Sequence, residues 1–250
     1  MNPGKEIRLN HIFARDQRAV VVAMDHGLPG MMPLEGLKQP GRLMERIAAG
    51  GADAILTTPG IVARFAHQLG SLGLIVRLDG AITMLGGGSG EMRLIASVED
   101  ALKMGADAVA VMGYCGTEDE SSSLETLGKV AIECRRLGVP LLAEMLPLGY
   151  GANPSLTQLV QAARIGAEMG ADIIKLPYVG PAEAYREVIE TCFVPVLVLG
   201  GSAKAEDEML MQVEDAVGIG AAGVAIGRNV WSREDATAMT RAITRIVHSG

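Results

Sequence analysis

The chain has 250 residues, of which 49% are hydrophobic and 20% are charged, a composition typical of a globular protein with a sizeable core. Its formal net charge of −7 and its aromatic content of 3% argue against nucleic acids and anionic membranes as main partners. The start of the chain, residues 1–6, lacks the apolar core of a signal peptide, and no apolar run approaches ~18 residues. We therefore expect a protein of the reducing cytoplasm, in which the three widely spaced cysteines stay free.

Short apolar, β-branched segments recur along the chain and alternate with segments of helical periodicity. The apolar segments lie at 19–24, 53–58, 74–78, 107–112, 140–145, 172–176, 195–199 and 222–226. The helical segments include 40–49, 97–104, 122–137, 156–169 and 207–219. Continuous apolar strands that alternate with helices indicate a parallel sheet covered on its outside. We predict one domain, residues 1–250, with the (β/α)8 TIM-barrel fold. A doubly wound open sheet is the alternative, but its GxGxxG turn has no counterpart here.

A weak internal repeat supports the barrel. Gly-Ala-Asp-Ala occurs at 51–54 and 105–108, and variants of it occur at 170–173 and 220–223. Each copy is expected to end a helix on glycine and to lead into the next strand. The Gly-rich stretch 86–90 is expected to be a loop after the third strand, serving either as a lid or as a plain linker.

Polar residues follow most of the predicted strands. In TIM barrels the chemistry lies at the C-terminal ends of the strands, which meet at one rim. The residues at those ends are Asp25, His26, Arg77, Asp79, Tyr114, Glu144, Lys175, Tyr178, Gly200, Gly201, Ser202, Gly227 and Arg228. This rim is therefore the predicted active site.

Lys175 is the candidate nucleophile. It lies near the end of the apolar run Ala-Asp-Ile-Ile-Lys-Leu-Pro-Tyr at 171–178. Burying an ammonium group among aliphatic side chains is costly and favours the neutral amine, which condenses with a carbonyl group to form a Schiff base. The alternative is a lysine that extends from the strand end into solvent.

The loops after the seventh and eighth strands are the candidate phosphate site. Gly200, Gly201 and Ser202 can expose backbone N–H groups, Gly227 permits a close approach, and Arg228 can add a charge-assisted contact. These loops commonly bind phosphate in TIM barrels. The alternative is a tight turn with a surface ion pair at Arg228.

The remaining rim residues leave more than one interpretation open. Asp25 can tune the lysine and transfer protons, or it can cap a turn. His26 can touch substrate or simply pack in the core. Arg77, Asp79 and Glu144 can support the barrel as a buried charge network or line the pocket. Because the other histidines do not group with His26, a histidine metal site is not expected.

Five segments resemble those of the archaeal-type class I fructose-bisphosphate aldolases. The wider superfamily includes the aminodideoxyheptulosonate synthases and the enzyme that processes autoinducer-2 phosphate. The segments are Val-Val-Val-Ala-Met-Asp-His-Gly at 20–27, Gly-Gly-Ala-Asp-Ala-Ile-Leu at 50–56, 171–178, Gly-Gly-Ser-Ala-Lys at 200–204 and Gly-Ala-Ala-Gly-Val-Ala-Ile-Gly-Arg-Asn-Val-Trp at 220–231. The resemblance spans almost the whole chain.

The resemblance implies a Schiff-base mechanism without a metal or other cofactor, and it implies a ring of identical subunits. Lys175 matches the Schiff-base lysine and Asp25 the acid/base aspartate, whereas the glycines of the last two loops and Arg228 match the phosphate site. One departure is Leu146, which stands where the aldolases carry a tyrosine before a proline. Glu144, Tyr178 or Tyr150 would then have to transfer protons. The autoinducer-related enzymes, which also lack this tyrosine, match comparably well.

The sequence thus predicts a class I aldolase that makes or breaks a C–C bond in a phosphorylated keto-sugar such as fructose 1,6-bisphosphate. We expect catalytic roles for Asp25, Glu144, Lys175 and Tyr178, with His26 beside the phosphate site. Transferases of the same superfamily are the nearest alternatives. Two others are a metal-assisted lyase that uses Asp79, Glu144 and His26, and a sugar-phosphate binder without chemistry.

Overall fold

The computed structural model describes residues 2–87 and 92–249, and within them eight parallel strands close into a barrel. We number the barrel strands β1 to β8 in chain order. They are β1 Ala19–Ala23, β2 Ala54–Thr57, β3 Gly73–Arg77, β4 Ala108–Gly113, β5 Leu141–Met145, β6 Ile173–Pro177, β7 Val196–Leu199 and β8 Gly223–Ile226. Each strand pairs with its neighbours in sequence, and β1 closes the ring on β8 with Val20 opposite Val224. The predicted (β/α)8 barrel is confirmed, and every predicted strand lies within one residue of its observed bounds.

Helices cover the outside of the barrel. They are α1 Pro3–Leu9, α2 Pro40–Gly50, α3 Pro59–Phe65, α4 Val98–Lys103, α5 Glu120–Leu137, α6 Leu156–Glu168, α7 Ala182–Thr191, α8 Glu206–Gly218, α9 Arg228–Trp231 and α10 Ala236–His248. The five helical segments predicted from periodicity correspond to α2, α4, α5, α6 and α8. Within residues 2–87 and 92–249, no helix has both the length and the apolar character that crossing a lipid bilayer requires.

Two apolar layers hold the fold together. The larger one fills the space between the strands and the helices and contains Leu, Ile, Val and Met side chains. The smaller one fills the barrel itself with mostly small aliphatic residues, which are every second residue of the strands. They are Ala19, Val21, Ala23, Ala54, Leu56, Ile75, Ala108, Ala110, Leu142, Ile173, Leu197 and Ala225. Ile12 and Phe13, which precede β1, complete this inner cluster. The low aromatic content therefore suits a narrow barrel interior.

The Gly-Ala-Asp repeat has a structural purpose at the N-terminal end of the barrel. In three copies the Asp accepts a hydrogen bond from a backbone N–H near the start of the preceding strand. The pairs are Val20 N to Asp53 at 2.7 Å, Leu74 N to Asp107 at 2.8 Å and Leu141 N to Asp172 at 2.9 Å. These aspartates join adjacent strands at the end away from the predicted rim.

The first part of the predicted Gly-rich loop at 86–90 lies within the described residues. A short 3-10 turn spans Met84–Gly86, and Gly87 follows with a φ of 89°, a left-handed conformation that favours glycine. Residues 88–90 of this loop lie outside the described residues. The choice between a lid and a linker therefore stays a prediction.

Candidate active site

The site residues continue the inner rows of the barrel strands. Side chains of a strand alternate between the two faces, so the residue two places after an interior residue also faces the interior. Ile173 is interior and Lys175 follows it, and Leu142 is interior and Glu144 follows it. Glu144 and Lys175 are also direct neighbours across the β5–β6 pairing. Both are buried, with Lys175 only 5% exposed. The solvent-exposed alternative for Lys175 is therefore wrong.

Arg77 lies at the centre of a buried charge network. Its Nε donates to Asp25 Oδ2 at 3.0 Å, its Nη1 donates to Asp79 Oδ1 at 3.3 Å, and its Nη2 donates to Glu144 Oε2. The other oxygen of Glu144, Oε1, lies 2.8 Å from Lys175 Nζ. Three carboxylates and two cations therefore form one connected set that ends at the candidate nucleophile.

The charges in this network reinforce one another. Burial by itself raises the pKa of Glu144, but Lys175 and Arg77 outweigh burial and hold that pKa well below its usual range. Burial also opposes the charge of Arg77, but the surrounding carboxylates raise the pKa of the guanidinium well above its ordinary value. Glu144 is therefore ionised, and it lies within hydrogen-bonding distance of the Lys175 amine. The structure thus adds a buried carboxylate partner to the apolar surroundings predicted for this amine.

The loops after β7 and β8 are fastened together by Asn229. Its side-chain amide donates to Gly200 O at 3.0 Å and to Ser202 O at 2.9 Å, while its carbonyl oxygen accepts from Lys204 N at 2.9 Å. Gly201 has a φ of 67°, which a glycine adopts without strain. These contacts fix the glycine turn beside Gly227 and the start of α9.

Gly227 has little room for a side chain. A Cβ atom at this position would lie 2.7 Å from Ala23 O and would also collide with the ring of His26. The indole Nε1 of Trp231 donates to the same Ala23 oxygen at 3.1 Å. The lack of a side chain at Gly227 thus lets α9 pack closely against β1 and His26, and its predicted close approach to a ligand stays a prediction.

Two buried nitrogen atoms near this corner have no hydrogen-bond partner within the described part of the chain, His26 Nδ1 and Arg228 Nε. Burial lowers the pKa of His26 although Asp25 opposes the shift, so the imidazole is neutral at neutral pH. Its ring packs edge-to-face on Trp231, with the centroids 5.3 Å apart. An unsatisfied Arg N–H at the start of a helix beside a glycine turn is suited to an anion.

The rim encloses a cavity of about 420 Å³, which is within the ~300–1,000 Å³ of ordinary small-molecule sites. Asp25, His26, Glu144 and Lys175 line it, as do both glycine loops and Arg228. Another part of the lining, called here the apolar wall, consists of Leu28, Met31, Ile82, Met84, Met92 and Leu146. The cavity therefore combines a charged floor, a corner suited to an anion and an apolar wall.

Contacts between loops close part of the cavity mouth. The hydroxyl of Tyr150 donates to Met31 Sδ at 3.2 Å, which joins the loop after β5 to the loop after β1. Met84 N donates to Pro29 O at 2.8 Å and joins the loop after β3 to the same segment. The apolar wall is thus built from three loops that support one another.

The structure corrects the expectation for Tyr178. Pro177 lines the cavity, so the next residue faces the helices rather than the barrel interior. The hydroxyl of Tyr178 donates to Asp215 at 3.2 Å, and its ring packs against Tyr185 at 5.0 Å between centroids. Tyr178 therefore cannot reach a substrate on Lys175 and is not a catalytic candidate.

The metal-assisted alternative finds no ligand set in this arrangement. Asp79 and Glu144 both accept hydrogen bonds from Arg77, which neutralises the oxygen atoms that a cation would need. Throughout residues 2–87 and 92–249, no three His, Cys, Asp or Glu side chains are grouped to hold a metal ion. The carboxylates are counter-ions of the arginine.

Comparison with known proteins points to one group. A sequence profile described as DeoC/LacD family aldolase matches residues 19–233. A 2-amino-3,7-dideoxy-D-threo-hept-6-ulosonate synthase of Halobacterium salinarum is 38% identical over 98% of this chain and 92% of its own length. The class 1 fructose-bisphosphate aldolase of Thermoproteus tenax is 33% identical over 96% of this chain and 93% of its own length.

Solved structures agree with these relatives. A Schiff-base-forming fructose-1,6-bisphosphate aldolase, determined as reaction intermediates, superposes with a TM-score of 0.89, at 32% identity over 98% of this chain and 100% of the other. An archaeal fructose-1,6-bisphosphate aldolase whose catalytic lysine carries a carbinolamine intermediate also gives a TM-score of 0.89, at 31% identity over 98% and 99% of the two chains. The likeness covers the complete barrel.

Proposed function

This chain belongs to the DeoC/LacD family of aldolases, and from that premise we propose that Lys175 forms the Schiff base of a class I aldolase acting on a ketose phosphate. The observation that carries the proposal is the position of the Lys175 amine. It lies on the floor of the cavity, buried, and is hydrogen-bonded to Glu144 at 2.8 Å. A lysine amine held on a cavity floor in this way is suited to covalent catalysis on a carbonyl group.

In this reaction the free amine of Lys175 attacks the ketone. Loss of water gives an iminium ion, which accepts the electron pair of the adjacent C–C bond when that bond breaks. Asp25 takes the hydroxyl proton as that bond breaks and gives it to the carbon of the resulting enamine, which restores the iminium ion. Water then hydrolyses the iminium ion and releases the product. Glu144 is the nearest base to Lys175 and orients the amine, while Asp25, held by Arg77 at 3.0 Å, transfers protons at the reacting carbon and oxygen atoms. Both roles are thus filled by carboxylates of the charge network around Arg77.

The phosphate of the substrate is proposed to bind at the corner formed by Gly200, Gly201, Ser202, Gly227 and Arg228. The unpartnered Nε of Arg228 and the glycine turn provide donors for an anion there. The neutral His26 beside them positions the same group. This corner and the Lys175 amine line the same cavity, as a substrate that carries both a phosphate and a ketone requires.

The end of the substrate that lies away from this phosphate corner is proposed to be uncharged. The cations among the described lining residues are Arg77, Lys175 and Arg228, and the first two are already neutralised by carboxylates. The apolar wall offers no partner for a second phosphate, and residues 88–91 add no basic side chain to the sequence. A ketose with one phosphate fits this charge distribution better than a bisphosphate does.

A second candidate function is a carbon–carbon transfer reaction of the kind named for the Halobacterium salinarum relative. The identity to that relative supports it, and Leu146 departs from the tyrosine that the fructose-bisphosphate aldolases carry at this position of the apolar wall. Both candidates use the same imine on Lys175. The two functions differ in the acceptor with which the enamine reacts after the first C–C bond breaks.

Turnover measurements with a panel of ketose mono- and bisphosphates test the proposal. We expect cleavage of monophosphates to exceed that of fructose 1,6-bisphosphate, and we expect Lys175→Met to lower kcat at least 10³-fold without loss of the folded state measured by circular dichroism. A chelator should leave activity unchanged. Retained turnover in Lys175→Met would remove the lysine from the mechanism, and a preference for the bisphosphate would refute the uncharged far end.

An assembly of identical subunits is a further part of this proposal. Large apolar side chains are exposed on the outside of the barrel, including Ile132 in α5, Met211 in α8 and Phe193 in the segment after α7. Exposed apolar groups of this size are candidates for contacts between subunits. Light scattering at micromolar concentration measures the mass directly, and a mass of 26.1 kDa, that of one chain, would refute the assembly.

A further inference from the structure

Tyr114 follows β4 and lines the cavity, but the mechanism above gives it no part. We propose that its hydroxyl donates a hydrogen bond to the oxygen on the far side of the reacting C–C bond. That oxygen is a hydroxyl in the ketose and a carbonyl in the free aldehyde. The inference rests on the proposed Schiff-base reaction and adds a catalytic residue to it.

The position of Tyr114 follows from the strand register. Met112 pairs with Glu144 across β4 and β5, and the ladder continues with Leu146 N donating to Gly113 O at 2.9 Å. Tyr114 is two residues beyond Met112 and therefore belongs to the same inner row. It lies beside Leu146, one layer above Glu144. This is the layer that a substrate bonded to the floor amine would occupy.

The backbone of Tyr114 is fixed by a buried serine. Tyr114 N donates to Ser123 Oγ at 3.0 Å, and the single proton of that hydroxyl has two acceptors in reach, Glu120 O at 3.1 Å and Tyr114 O at 3.3 Å. Ser123 belongs to the first part of α5 and is 2% exposed. A backbone N–H that donates to a buried hydroxyl fixes the chain at the point from which the aromatic ring projects.

The hydroxyl of Tyr114 is suited to donate. Burial, Asp79 and Glu144 together raise the pKa of Tyr114 to about 12, so the phenol keeps its proton throughout the neutral range. Within the described residues its hydroxyl makes no hydrogen bond. By contrast, the carboxylates nearby already accept from Arg77, and Tyr150 donates to Met31 at the mouth.

The reaction balances with this role. Asp25 removes a proton from the carbon next to the iminium ion, which gives the enamine and a protonated Asp25. The enamine electron pair then bonds to the aldehyde carbon, the carbonyl π pair moves to oxygen, and that oxygen takes the proton from Asp25. The products are the iminium ion, a new hydroxyl group and the Asp25 carboxylate. Tyr114 stabilises the negative charge that develops on oxygen, and cleavage is the reverse.

The test compares Tyr114→Phe with the matched variant Tyr178→Phe, which loses a hydroxyl that faces Asp215 outside the cavity. We expect Tyr114→Phe to lower kcat for cleavage by about 10²-fold, as loss of one donor to a developing oxyanion does, while KM changes less than about threefold. Tyr178→Phe should stay within threefold of the unaltered enzyme in both parameters.

Two measurements separate this role from a structural one. Borohydride should trap a three-carbon keto-phosphate on Tyr114→Phe as fully as on the unaltered enzyme. The bound keto-phosphate should also still exchange its C–H proton with deuterated water. Neither step involves the aldehyde oxygen, so neither needs the Tyr114 hydroxyl. Unchanged kcat, loss of trapping, loss of exchange or a lost limb of the pH–rate profile in Tyr114→Phe would each overturn the proposal. If the unaltered enzyme traps nothing, the Schiff-base function itself fails.

Discussion

The ion pair between Lys175 and Glu144 gives the sharpest energetic prediction. At an Nζ–Oε1 separation of 2.8 Å, the gross Coulomb attraction is about 6 kcal/mol at an effective dielectric constant of ~20. Desolvation offsets much of this, but removing one partner leaves the other charge buried and costs about 3–5 kcal/mol. We expect Glu144→Gln to be more destabilising than Lys175→Met, because Glu144 also binds Arg77.

A double-mutant cycle measures the pair itself. Urea unfolding of the unaltered chain, both single variants and the double variant at pH 7.5 should give a coupling energy of about 2–3 kcal/mol. Additive effects, with a coupling below about 0.5 kcal/mol, would show that the pair does not form in solution.

The same pair makes a contribution to stability that depends on pH. Burial by itself raises the pKa of Glu144, but the charges of Lys175 and Arg77 lower this pKa by more than burial raises it. Over the pH range of this shift, the folded state therefore binds fewer protons at Glu144 than the unfolded state does. The stabilisation is therefore fully present above the ordinary glutamate pKa and is lost as the pH falls through the lowered value. Glu144→Gln should remove this part of the acid destabilisation.

Two further predictions concern the ends of the barrel. Asn229→Ala should release the glycine turn at Gly200 and raise KM for the ketose phosphate about tenfold, a change of ~1.4 kcal/mol, with a smaller effect on kcat. Steady-state kinetics measure both parameters, and an unchanged KM would show that this turn does not contribute to phosphate binding. Asp172→Asn removes the charged partner of Lys5, which lies 2.9 Å away at the N-terminal end of the barrel. The free energy of unfolding in urea should fall by about 1 kcal/mol, while kcat stays within twofold. A large loss of kcat in this variant would contradict the assignment of the chemistry to the opposite rim.

The barrel could be predicted closely because its signals are local. Each strand is a short apolar run, and each Gly-Ala-Asp copy marks the entry into a strand, so sequence alone places all eight strands. The inner and outer faces could also be predicted from the period of two. Counting from Lys175, Pro177 faces the cavity and Tyr178 faces the helices, which is why the expectation for Tyr178 was wrong.

The charge network could not be predicted in the same way. That Arg77 meets Asp25, Asp79 and Glu144 depends on how three strands bring their ends together around one guanidinium. Sequence shows the charges at the rim but not their pairing, so the supporting network and the pocket lining remained alternatives. In the structure both descriptions hold, since all four side chains belong to one network and also line the cavity.

The role of Asn229 also depends on contacts between distant segments. Its amide holds the loop after β7, 27 and 29 residues earlier in the chain, and nothing local marks it as more than the second residue of a short helix. The only signal was its place inside the segment that resembles the aldolases. Contacts between loops, unlike strands, leave no periodic pattern in a sequence.

The central claim is that the amine of Lys175 bonds covalently to a ketose phosphate. Borohydride reduction of the protein in the presence of a keto-phosphate, followed by mass spectrometry of the peptide that contains residue 175, measures this bond directly. We expect a mass increase equal to that of the reduced imine on this peptide, and none in Lys175→Met. An adduct on another lysine, or no adduct while the ketose phosphate is still cleaved, would contradict it.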